Sequence, residues 1–101
     1  MENKEKFAFR KVSMTENVEV EFLKIIIDNT HKSDDEFLKV IKDKLSSDNL
    51  TCHASMLFRT STQLIFQISK FNKTSKTYRD HELWIFNYLT DDKFSLNRFR
   101  V

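Results

Sequence analysis

The chain of 101 residues contains no glycine and no proline, where ordinary usage would supply about a dozen. Without glycine there is no phosphate-cradling loop, no dinucleotide fingerprint and no G-x-S-x-G nucleophile elbow. Turns that need a positive φ must use Asn or Asp instead. Such residues stand at the expected turns: Asp28-Asn29, Asp48-Asn49, Asn72 and Asp91-Asp92. Alanine is nearly missing as well (Ala8 and Ala54 only), while Lys, Asn, Ile and Phe are plentiful. That bias matches an AT-rich gene.

Cysteine is represented by Cys52 alone. This excludes an intrachain disulfide and any multi-cysteine zinc site. Purely apolar runs are short, Ile25-Ile26-Ile27 and Leu83-Trp84-Ile85-Phe86 among them, and far below the length that spans a membrane as a helix. Met1 to Lys6 is charged and no apolar stretch follows it, so no signal peptide is predicted and a cytosolic location is expected. On that expectation the two N-x-T sequons, Asn49–Thr51 and Asn72–Thr74, read as chance. The net charge of +2 is too small to argue for nucleic acid by itself.

What is present suffices for a core. Apolar residues make up 40% of the chain and include ten Phe, two Tyr and Trp84. A chain of this length is expected to form one domain, residues 1–101. Ser33 followed by Glu36 is a capping box. Phe37, Leu38, Val40, Ile41 and Leu45 follow at helical spacing, which predicts an amphipathic helix over about 34–46. Asp35 and Lys39 are spaced as an i,i+4 pair.

The rest reads mainly as strands. Alternation predicts a first hairpin from 6–13 and 18–27, because β-branched residues crowd the second segment. A helix over 15–29 is the rival, with Thr15 as cap and Glu16 and Glu19 in its first turn. Strands follow over 52–58, 64–69, 81–89 and 94–101. The class is α+β: an antiparallel sheet of five or six strands with the one capped helix packed on it.

The strand His81 to Leu89 is apolar on both faces, so both must be covered. Trp84, Phe86 and Tyr88 share one of them and are the candidate anchors for a protein partner or a second copy of the chain. Arg98 and Arg100, on one face of the last strand, would form a rim or a basic edge. Lys73, Lys76 and Arg79 are candidate phosphate-binding residues. Basic residues on an edge strand also guard against unwanted pairing.

His31, His53 and His81 are scattered, so neither a metal site nor a cofactor is expected, and Cys52 reads as a buried thiol. The preferred function is non-catalytic protein binding, as an inhibitor or regulator, with no membrane contact. Small AT-rich proteins without catalytic motifs are often mobile-element products, an association of class only.

Two nucleic-acid alternatives stand beside it. Arg79, His81, Tyr88, Arg98 and Arg100 could bind phosphate and move a proton in RNA cleavage. If 15–29 is helical, the chain resembles small ribosome-dependent ribonuclease toxins of the RelE type in size and order of elements. The second alternative is a DNA-binding helix-turn-helix. Ser55, Phe58, Ile65 and Ile68 have the spacing of that motif, although Arg59 stands where its turn usually has glycine.

Overall fold

The computed structural model describes residues 9–89 and 93–100. Thr15 decides the first large element. Its hydroxyl accepts a hydrogen bond from the Val18 amide, and Glu16 and Glu19 occupy the first turn of a helix, Glu16–Asn29 (α1). Phe22 and Ile26, four residues apart, are its buried pair. The predicted strand over 18–27 is therefore corrected to a helix. A buried stripe at helical spacing outweighs the weaker β-preference of Val and Ile.

Of the predicted first strand only Arg10–Lys11 (β1) is extended among the described residues. It does not make a hairpin with 18–27; residues 6–8 lie outside the described residues.

The second helix, Asp34–Leu45 (α2), has both halves of the capping box at Ser33 and Glu36. It buries Phe37, Leu38 and Ile41. Lys39 pairs forward with Asp43 at 3.1 Å, rather than back to Asp35. Four long strands follow: Leu50–Arg59 (β2), Gln63–Asn72 (β3), Thr77–Tyr88 (β4) and Phe94–Arg100 (β5). They form an α+β structure with one open antiparallel sheet in the order β1-β5-β4-β3-β2. Among the described residues it has five strands and two helices, not one helix. Residues 55–68 are strand and turn, so the helix-turn-helix reading does not hold.

Left-handed backbone appears at Lys76 (φ 59°) and Asp80 (φ 55°). Asp80 is of the residue type expected at such positions but lies within β4, and the expected turns at Asp28-Asn29, Asp48-Asn49 and Asn72 do not use a positive φ. Lys76, in the turn before β4, is not of that type. Asn72 works differently in that turn: its side-chain oxygen accepts from the amides of Thr74 and Ser75.

Both helices lie on the same side of the sheet, α2 over β2 and α1 over β5. Beneath them sit Cys52, Leu64, Phe66, Ile68, Trp84, Phe86 and Leu96. Register puts these on one face. Phe66 stands opposite Trp84, Leu64 opposite Phe86, and Phe86 opposite Leu96. The Phe22 ring meets Trp84 edge-on at 5.0 Å, and Phe37 meets Phe66 likewise at 5.5 Å. No helix among the described residues is long and apolar enough to cross a membrane.

Candidate functional site

Successive residues of a strand point to opposite faces, and residues directly opposite across a ladder point to the same one. With Trp84 and Phe86 under the helices, Leu83 and Ile85 must point away from them. The aromatic face of β4 is the covered face, closed by the two helices. Trp84 is 1% exposed and Phe86 4%, so neither is available to a partner in this fold. Tyr88 is at the far end of β4, 43% exposed. It packs edge-on against Phe94 at 5.0 Å and lines a cleft of about 590 Å³ beside the β2–β3 turn.

Arg98 and Arg100 are also on the helix side, and neither is a free cation. Both bind Glu82, which is 5% exposed. The Glu82 carboxylate accepts from Arg98 Nε at 2.9 Å, from Arg100 Nη2 at 2.7 Å and from the Trp84 indole at 3.0 Å. The Arg98 guanidinium also lies over the Trp84 ring, 4.6 Å from its centre. The hydrogen bond from Arg100 to Glu82 raises the Arg100 guanidinium above its ordinary value.

The sequence analysis did not bring out this buried network. The available signal was the i,i+2 spacing of Glu82 and Trp84 and of Arg98 and Arg100. In the neighbourhood of these two arginines β5 is not an edge strand. β1 pairs along it, with Arg10 opposite Arg100.

The proposed ribonuclease set does not converge. Arg79, opposite Lys70, and the two arginines lie at one end of the helix side. His81 and Tyr88 are seven residues apart on one strand, about 23 Å. Arg79 pairs with its neighbour Asp80 at 3.3 Å, and Lys73 and Lys76 belong to the exposed β3–β4 turn. Cys52 and His53, neighbours in β2, project to opposite faces. Cys52 is buried against the core, and desolvation pushes its thiol up, although Lys70 and Lys42 act the other way. Native protein should therefore react with maleimide far more slowly than denatured protein, as thiol titration can measure.

The face away from the helices has a different composition. Its central row runs Ser55, Gln67, Leu83 and Phe99 across four strands. The next row holds Ile65 and Ile85, with Asn97 beyond. Leu57 and Phe58 share the irregular step opposite Ile65 and are 53% and 48% exposed. In the other direction are His53 and Ser69, then Phe71 and Tyr78. The Tyr78 ring lies 5.0 Å from Phe71 and 5.7 Å from His53.

His53, Ser55, Gln67, Tyr78, His81 and Leu83 wall a hollow of about 560 Å³, with Phe9 at its lip. Lys11, opposite Phe99 at the rim, is the one charged residue among the positions that register assigns to this face. Charged residues make up 32% of the chain. Among the described residues no helix or strand covers the face, and no group of three His, Cys, Asp or Glu could hold a metal. Comparison with protein-family models, with curated proteins and with solved structures returns no match.

Proposed function

We propose that the chain is a non-catalytic binding module, of inhibitor or regulator type, that presents the open face of its sheet to a protein. The observation that carries this is the scarcity of charge on that face. Loss of charged residues from the centre of a patch, with aromatic and aliphatic side chains in their place, is the compositional mark of a protein interface. A nucleic-acid surface would need cations there, and Lys11 alone is present. The mixture of Ile, Leu, Phe and Tyr with Ser, Gln, Asn and His suits a surface that must stay soluble when free and lose water when bound.

The test is capture of protein, from a cell extract or from a solution of the chain itself, by immobilised wild type and by a Leu83→Asp/Ile85→Asp variant. The expected result is a protein held by the wild type and lost by the variant, with both chains equally folded by circular dichroism. A folded variant that still holds the same protein would overturn the reading.

A further inference from the structure

We infer that the occupant of the open face is a second copy of this chain, packed sheet to sheet about a two-fold axis; this rests on the reading of that face as a protein interface. Charge supports it first. An isologous interface sets one patch against itself, so the patch must be self-complementary. A strongly charged face would repel its own image, whereas this one carries only Lys11 at its rim. An acidic or basic partner would find almost nothing to pair with.

Area supports it next. Strands of ten residues run about 33 Å, and four of them span about 19 Å. The resulting footprint of about 600 Å² is of the order of the ~800 Å² per partner in a standard stable interface.

Shape fixes the axis. Ser55, Gln67 and Leu83 form a row across three strands. To one side of it Leu57 and Phe58 project, about half exposed. To the other side lies the hollow walled by His53, Tyr78 and His81. A two-fold axis lying in the interface along this row exchanges the ends of the strands. It carries Leu57 and Phe58 of each copy over the hollow of the other. The bump and the hollow lie about two residues either side of the row, so the exchange brings them into register. The Gln67 side chains of the two copies then meet near the axis, where a pair of amides can donate to one another. The product is an aligned sandwich of two sheets about 10 Å apart, with the helices on its outer surfaces.

The experiment is size-exclusion chromatography with light scattering at micromolar concentration. Wild type is expected at twice 12.1 kDa, and Phe58→Glu at the single-chain mass with an unchanged circular dichroism spectrum. A second variant guards against misfolding. Ser55→Cys sits next to the axis and should be cross-linked between copies by a short bismaleimide that spans the ~10 Å between the sheets, whereas Ser95→Cys should not. Cys52 is buried and silent in both. A monomeric wild type would overturn the second copy as occupant but leave the face open to another protein, which the extract experiment tests separately. A dimer that persists in folded Phe58→Glu and gives no Ser55→Cys cross-link would place self-association on another surface and overturn the second copy as occupant of this face.

Discussion

Replacing Glu82 by alanine is expected to destabilise the protein by about 3–5 kcal/mol, the cost of leaving a buried ion pair without one partner. The carboxylate is the shared acceptor for Arg98, Arg100 and the Trp84 indole. Its loss strands a guanidinium whose side chain is only 14% exposed and a buried indole N–H. A domain of this size holds about 5–15 kcal/mol in total, so the thermal midpoint should fall by about twenty degrees. Adding Arg98→Met to Glu82→Ala should recover part of the loss, because the charge left behind is then removed. Denaturant melts of the three chains measure this. A fall of less than about 1 kcal/mol for Glu82→Ala would mean that the network behaves as an exposed one.

Trp84→Ala is expected to be as damaging, by about 3–5 kcal/mol. The indole is the largest of the fully buried side chains and touches Phe22 of α1, Phe66 of β3 and the Arg98 guanidinium. Its removal opens a cavity where helix and sheet meet. Leu83→Asn, one residue away on the opposite face, should cost about 1 kcal/mol or less yet remove binding. This contrast separates the two faces of β4. A well-folded Trp84→Ala protein that had lost only binding would return the interface to the aromatic face.

The sequence showed more of the fold than of the surface. The capping box at Ser33 and Glu36 and the stripe after it marked α2 within a residue at either end. The alternation in β2 to β5 was readable up to the bulges; the step at Leu57–Phe58 reverses its phase and turns Phe58 to the face opposite Met56. The error at 16–29 had a physical source. Val18, Val20 and the Ile25–Ile27 run favour strand locally, while Thr15 and the Phe22/Ile26 spacing favour helix. Packing of Phe22 on Trp84 then decides between them, and a local reading does not contain that contact.

The reading of Trp84 and Phe86 as exposed anchors follows from the same error. Both faces of β4 were legible as apolar, but which one is covered depends on where the helices lie. With one of the two helices read as a strand, the larger aromatic side chains took the exposed role. The Glu82 network was hidden for a further reason. Arg98 and Arg100 meet Glu82 only through the β4–β5 register, which a turn longer or shorter by one residue would change.

The most direct measurement of the open face is the labelling rate of a cysteine placed at Ile85, compared with one at Lys73 in the basic β3–β4 turn. In dilute reduced protein both should label readily. As protein concentration rises, or a bound protein is added, labelling at Ile85→Cys should slow steeply while Lys73→Cys keeps its rate. Protection of Lys73→Cys with Ile85→Cys unchanged would contradict the assignment and move the interface to the basic turn.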